Sequence, residues 1–267
     1  MLFWSYVLTF FGGERFYGAD QTGRGGPVRA PVCGPRYNVA PTQRVPVIYH
    51  KGKQAGMKLM RWGFVQNAET LKFRNPKAKT GAEGEAQGLL INARGETLGS
   101  RAAFREAYQQ RRCLIPADGF YEWQVRAGKR QPFRVMFKSG EPFCFAGLWR
   151  SSSSLLLGKE PGHWEEEPVA SEVEEFVIIT RAANTAMKPL HERMPVIIGR
   201  SHYDWWLKDS GPGSELYKLA LEHAPDEPLK IYPVSDLVNS PKTDDPRCVA
   251  PVRIDRDWLE QAWWGDW

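Results

Sequence analysis

The sequence has few cysteines, and none stands in a pattern that would use two of them together. The four cysteines among its 267 residues are scattered, without a C-x-x-C pair. Zinc sites and disulfide frameworks depend on such short spacings. We therefore expect no metal site, no cofactor and a reducing, intracellular compartment.

Long apolar runs are also scarce. The apolar opening MLFWSYVLTFF ends at Gly12 and Gly13, and no basic segment precedes it. A membrane span needs about 20 apolar residues, and a signal peptide needs a basic start. We predict a buried first strand here and no membrane partner.

No sign of charge dominates the chain. Its 36 Lys and Arg residues against 31 Asp and Glu give a formal net charge of +5. This small positive excess favours a polyanionic partner, although many soluble enzymes that bind no nucleic acid carry a similar net charge. The charge alone leaves several functions open.

Short apolar runs bounded by turn residues are abundant, and they are typical of β-strands. They include VPVIYH, GLLINA, RCLIPA, FRVMF, FCFAGLW, EFVIIT and MPVII. The spacing of SRAAFREAYQQ predicts an amphipathic helix capped by Ser100, and Ser201 with Asp204 predicts a second helix start. Without repeats or a clean boundary, we predict one α+β domain followed by a Trp-rich C-terminal tail.

Three polar residues alternate in LINARGET. Asn92, Arg94 and Glu96 would project from one face of a strand. An amide and a guanidinium on one surface suit a phosphate or a sugar. The alternative is a solvated strand end.

The segment RCLIPADGFYEW places Glu122 between two large aromatic residues. Partial burial raises the pKa of a carboxyl group and suits it to proton transfer, although a surface glutamate in a hairpin is an equal alternative. Trp123 would point to the opposite face, where it either stacks on a base or packs in the core.

Two further segments carry candidate residues. In LHERMPVII, His191 and Arg193 stand two apart before a strand, and a lone histidine is more often structural than catalytic. In RYNVAPTQ, Asn38 precedes the turn at Pro41 and serves either a ligand or the scaffold.

These segments, in this sequential arrangement, resemble the signature blocks of the SRAP family of abasic-site processing proteins. The blocks run from Arg36 to Val252 and are RYNVAPTQ, MRWGF, LINARGET, RRCLIPADGFYEW, KRQPF, FAGLW, FVIITRAAN, LHERMPVII, YPVSDLVN and CVAPV. The resemblance implies a mostly antiparallel, barrel-like β core with short flanking helices over residues 1–252, and a tail over 253–267. It also implies a monomer that binds single-stranded DNA containing abasic sites, in the nucleus of a eukaryote or the cytoplasm or nucleoid of a bacterium.

The resemblance also implies a chemistry. In the family, removal of the initiator methionine exposes a cysteine, whose amine and thiol close a thiazolidine ring on the aldehyde of the lesion. Asn92 would orient the N-terminal residue, Glu122 would transfer protons, and His191 would assist imine formation. The DNA would be contacted by Asn38, Arg94, Trp123 and Arg193.

The start of the chain departs from the family pattern. The sequence begins MLFWSYVLTFF, in which YVLTF resembles the family's first strand and residues 2–5 replace its Cys-Gly-Arg. We interpret this start as an incorrect first exon or start codon. Cys33 with Gly34 is no substitute, because the pair lies too close to RYNVAPTQ.

Three other functions stay open at this point. The first is a single-stranded DNA-binding module that forms no crosslink. The second is a peptidase of the self-processing kind, and the third is a structural interaction domain. The first differs from a crosslinking protein or abasic-site lyase only in the N-terminal residue. The last would leave Asn92, Glu122 and His191 scattered over the fold.

Overall fold

The protein is described by a computed structural model that covers much of the chain. The described residues are 8–10, 34–51, 54–66, 88–126, 128–154, 171–208, 218, 220 and 225–254. Within them, no helix is long and apolar enough to cross a membrane. Apart from Arg253 and Ile254, the predicted Trp-rich tail over 253–267 lies outside this part of the chain, as do the residues before Leu8.

Strands make up most of the described structure. They are β1 (Leu8–Phe10), β2 (Arg36–Val39), β3 (Arg44–Lys51), β4 (Gln54–Trp62), β5 (Phe64–Val65), β6 (Leu89–Leu90), β7 (Asn92–Arg94), β8 (Arg112–Ala117), β9 (Gly119–Arg126), β10 (Lys129–Phe137), β11 (Phe143–Ser154), β12 (Ser171–Ala182), β13 (Arg193–Pro195), β14 (Ile197–Ile198) and β15 (Leu229–Pro233). Two short helices, α1 (Ala102–Gln110) and α2 (Tyr203–Lys208), flank them.

Five strands close into a barrel. β12 pairs with β4, β4 with β3, β3 with β8, β8 with β11, and β11 pairs back to β12. All of these pairs are antiparallel except β12 with β4, and β7 adds a second parallel pair on β12. The predicted barrel-like, mostly antiparallel core is confirmed, with the difference that the barrel is mixed.

The barrel strands β11 and β12 are buried on both faces over most of their length. Along β11, Phe143 and Phe145 pack in one apolar cluster, whereas Cys144 and Ala146 pack in another. Successive side chains of a strand point to opposite faces, so burial on both sides requires an unbroken apolar run. This explains why FCFAGLW and EFVIIT show no polar alternation.

A second sheet covers one face of the barrel. Its strand arrangement is β15-β10-β9-β1-β2. β1 lies between β9 and β2 and is antiparallel to both, with Leu8 opposite Phe120 and Val39. Phe120 and Val135 of this sheet share a core cluster with Val47 of the barrel. The first strand is therefore a central element of the fold.

The helices begin later than their capping signals predict. α1 follows Arg101, whose side chain makes no capping hydrogen bond. Ser100 lies one residue before this cap position, and its hydroxyl donates to the Thr97 carbonyl at 3.2 Å. α2 begins at Tyr203, after a 3-10 turn that contains Ser201. The prediction of Ser100 as the cap was wrong, although the helix itself is confirmed.

One buried carboxylate ties the barrel together where β12 meets β4. Glu175 is fully buried and accepts hydrogen bonds from Arg61 of β4 and, at 2.9 Å, from Arg150 of β11. It also accepts the Val65 N–H at 3.2 Å. Three segments therefore converge on one side chain.

Replacing Glu175 by alanine tests this role. The change leaves the buried Arg61 without its counter-charge, so we expect the free energy of unfolding to fall by about 3–5 kcal/mol. Glu174→Ala is the matched control. It removes a more exposed ion pair with Lys58 and should cost less than about 1 kcal/mol. Urea unfolding of both variants gives the comparison, and equal losses would contradict the assignment.

Candidate functional site

Glu122 is a buried acid in the middle of β9. Its side chain is almost wholly enclosed, with the residue only 2% exposed. Oε1 accepts the Trp123 N–H at 3.2 Å, and Oε2 has no hydrogen-bond partner among the described residues. Burial raises the pKa of Glu122 to about 8. The carboxyl group is therefore mostly protonated at neutral pH and can donate a proton.

Gln124 lies two residues further along β9, on the same face, and sequence reasoning did not single it out. Its Nε2 donates to the Pro189 carbonyl at 2.9 Å, and its Oε1 has no partner among the described residues. This bond ties β9 to the turn that leads into His191. The alternation that linked Asn92 to Arg94 would have identified Gln124 from Glu122.

His191 lies in that turn, just before β13. The sequence predicts His191 and Arg193 two apart before a strand that begins at Pro195, whereas the strand already begins at Arg193 and includes it. The Arg193 N–H donates to His191 Nδ1 at 2.9 Å and closes a tight turn. Burial lowers the pKa of His191. The neutral ring, with Nδ1 as an acceptor, carries its proton on Nε2.

β7 brings Asn92 and Arg94 alongside β12. Asn92 lies opposite Ile178 and Arg94 opposite Thr180. Asn92 Oδ1 is buried and has no partner among the described residues, whereas the Arg94 side chain is exposed. The strand ends at Arg94, so Glu96 lies in a 3-10 turn rather than on the predicted strand.

Arg193 is held by two partners. Its Nη1 and Nη2 donate to the two carboxylate oxygens of Glu96 at 2.7 and 2.9 Å. Nη2 also donates to the Thr180 carbonyl at 2.9 Å. The hydrogen bond from Arg193, with the charges of Arg193 and Arg94, lowers the pKa of Glu96. The guanidinium predicted to hold a phosphate therefore already holds a carboxylate.

An open cavity of about 390 Å³ adjoins Arg94. Thr97, Ser100 and Arg101 line the rest of it. The Thr97 hydroxyl donates to the Arg94 carbonyl at 3.3 Å, which fixes the turn. Two guanidinium groups on one concave surface suit a phosphate.

Asn38 has a structural place in the fold. The side chain is fully buried, and its Nδ2 donates to the carbonyls of Val238, Ser240 and Thr243 at 3.4, 2.9 and 2.7 Å. Its backbone N–H donates to Asp244 at 3.0 Å. Asn38 thus clamps a C-terminal loop to β2, and its contact with DNA stays a prediction.

Trp123 points away from the Glu122 face. It packs with Tyr121 in a separate apolar cluster, and its Nε1 donates to Asn239 Oδ1 at 2.7 Å. The Arg130 guanidinium lies over its ring at 5.6 Å. The indole is therefore enclosed, and base stacking by Trp123 stays a prediction.

Hydrogen bonds connect the three segments that carry the predicted catalytic residues. Gln124 joins β9 to the turn before His191, and Arg193 joins that turn to Glu96, just after β7. The fold therefore links the three segments to one another. A common pocket for their side chains stays a prediction.

The fold and these side chains together define a class of protein: a closed mixed β-barrel with a buried acid, a buried imidazole and an arginine-lined surface. The family described as SOS response associated peptidase (SRAP) matches residues 20–241. The chain belongs to this family, which confirms the resemblance.

Relatives match over most of the chain. The abasic site processing protein YoaM of Bacillus subtilis is 36% identical over 212 residues, covering 79% of this chain and 82% of YoaM. YoqW of the same organism is 33% identical over 216 residues, covering 80% and 85%. A crystal structure from Bordetella bronchiseptica has a TM-score of 0.59 at 22% identity, covering 86% of this chain and 99% of that one. This last similarity shows a shared fold.

Glu122→Gln tests the raised pKa. The unfolded carboxyl group ionises near pH 4.5, whereas the folded one keeps its proton up to about pH 8. Within this window folding binds a proton, so the stability of the unmodified protein falls as pH rises, by up to about 1.4 kcal/mol per pH unit. Glutamine has no proton to lose. The stability of the variant relative to its parent should therefore rise from about pH 5 to about pH 8.

Urea unfolding at these two pH values measures the difference. Glu106→Gln is the control, because Glu106 is an exposed acid on α1. The stability of the Glu106→Gln variant relative to the parent should change little between the two pH values. Parallel pH profiles for Glu122→Gln and the parent would show that Glu122 ionises normally.

Proposed function

We propose that this protein captures abasic sites in single-stranded DNA by condensing its N-terminal amine with the aldehyde of the lesion. The observation that carries the proposal is Glu122, a buried acid that is protonated at neutral pH. Relatives named as abasic site processing proteins support the same activity. With this function we also propose a monomer, located in the nucleus of a eukaryote or in the cytoplasm or nucleoid of a bacterium.

The direction of β1 supports an N-terminal nucleophile. Leu8 lies opposite Phe120, and Thr9 lies opposite Gly119. Because β1 and β9 are antiparallel, β1 starts at the end of this pairing that lies on the Glu122 side of β9.

Two buried acceptors favour a ligand that donates hydrogen bonds. Asn92 Oδ1 and Gln124 Oε1 have no donor among the described residues. A buried acceptor without a donor costs about 1–3 kcal/mol. An amine offers several N–H donors in a small volume, and it would satisfy such groups.

The condensation needs a proton donor and no redox partner. The amine nitrogen attacks the aldehyde carbon and one of its protons passes to the oxygen; Glu122 then protonates the resulting hydroxyl group and water leaves. The remaining N–H proton returns to the Glu122 carboxylate as the neutral imine forms. His191, with its proton on Nε2, would assist this step. Where the N-terminal residue is cysteine, its thiol then adds across the C=N bond and closes the thiazolidine ring.

Two arginines would hold the strand. Arg94 is exposed at the end of β7, and Arg193 lies at the start of β13. Guanidinium groups bind phosphate through paired hydrogen bonds and do not read sequence. The affinity should therefore fall with rising salt and should not depend on base composition.

Changing residues 1–5 tests the covalent step. Replacing them by Met-Cys-Gly-Arg should give a heat-stable adduct with an abasic oligonucleotide on a denaturing gel, because the thiol closes the ring. Met-Ala-Gly-Arg is the matched control, since it offers an amine without sulfur. The control and the unmodified chain should give at most an imine that borohydride traps. A heat-stable band from the unmodified chain would show that another nucleophile acts.

Arg94→Glu tests the DNA surface. We expect weaker binding to single strands of every sequence and a loss of about one unit from the slope of log affinity against log salt. Arg111→Glu makes the same charge change at an exposed ion pair after α1 and should bind nearly as the parent does. Fluorescence anisotropy measures both. A preference for duplex DNA, or an unchanged salt slope in Arg94→Glu, would contradict the proposal that Arg94 contacts the phosphates of single-stranded DNA.

A further inference from the structure

Glu96 binds Arg193 with the geometry that a phosphate would use. Its two oxygens accept separate hydrogen bonds from Nη1 and Nη2, at 2.7 and 2.9 Å. Phosphate groups bind a guanidinium through the same pair of parallel hydrogen bonds. A carboxylate and a DNA phosphate would therefore compete for one edge of this side chain.

The carboxylate is the partner that is able to leave. The Glu96 side chain is 45% exposed, whereas that of Arg193 is 15% exposed. Glu96 lies in a 3-10 turn after β7 has ended, so its movement breaks no strand. The Thr180 carbonyl continues to anchor Arg193 Nη2. The guanidinium would stay in place when Glu96 moves away.

Glu96 also lies near the second predicted phosphate contact. The charge of Arg94 adds to the hydrogen bond from Arg193 in lowering the pKa of Glu96. Glu96 is therefore ionised at neutral pH, close to both arginines. While it stays there, its negative charge opposes an incoming phosphate.

We propose that Glu96 is an internal phosphate mimic, which occupies Arg193 in the DNA-free protein and gives way to a DNA phosphate when the strand binds. The inference rests on the proposed binding of single-stranded DNA. It adds that Glu96 lowers the affinity for DNA through Arg193 in particular, and not only through its charge.

A double-mutant cycle tests this coupling. Glu96→Gln, Arg193→Gln and the double variant are compared with the parent by anisotropy, on a labelled single strand without an abasic site. Glutamine keeps the size of Glu96 and replaces Arg193 by a shorter, uncharged side chain, and the intact strand excludes covalent capture. We expect Glu96→Gln to raise the affinity roughly two- to five-fold, the strength of an exposed ion pair. In the Arg193→Gln background most of the gain should be lost, because only the repulsion by the charge of Glu96 remains to be relieved.

The controls separate the possible outcomes. Glu106→Gln removes an equal charge from α1 and should change the affinity little, and thermal melting confirms that each variant is folded. An equal gain in both backgrounds would overturn the mimic in favour of simple charge repulsion. A loss of affinity in Glu96→Gln would overturn it in favour of a positioning role. If the folded parent binds no single strand, the proposed function fails as well, whereas binding without coupling refutes the mimic alone.

Discussion

The barrel depends on one buried carboxylate at the seam where β12 meets β4. That parallel pairing spans only Glu175 and Phe176 of β12, whereas the antiparallel pairing with β11 continues to the end of β11 at Ser154. Glu175 compensates for the short seam by binding Arg61 and Arg150, one from each neighbouring strand. β7 and β13 pair with the same β12. Of the predicted site residues, Asn92, Arg94 and Arg193 therefore lie on strands that pair directly with β12.

The strands could be predicted from the sequence because each apolar run needs burial on both faces. Closure of the barrel could not, since it depends on contacts such as Arg61 with Glu175, which are 114 positions apart and leave no local signal. The start of α1 shows a local failure. Ser100 has a side chain that often caps helices, but its hydroxyl donates a hydrogen bond to the Thr97 carbonyl instead.

The candidate site could be predicted where the surroundings of a side chain depend on its neighbours in the sequence. The aromatic residues around Glu122 indicated burial, and burial raises its pKa. The bond from Gln124 to Pro189 and the pairing of Glu96 with Arg193 cross from one element to another. Such contacts form only when the chain is folded. The sequence therefore shows which residues are polar at these positions, but it does not show which residues they contact.

The clamp at Asn38 has a consequence for the stage of synthesis at which the N-terminal region folds. β1 leaves the ribosome before β9, whose residue Phe120 follows Leu8 by more than a hundred residues. The loop that Asn38 binds, near Ser240 and Asp244, follows Asn38 by more than two hundred residues. Pairings of such long separation form late, because the intervening chain must first be closed into a loop. The edge of β1 that faces β9 therefore stays unpaired until β9 has been synthesised, although β2 is available much earlier.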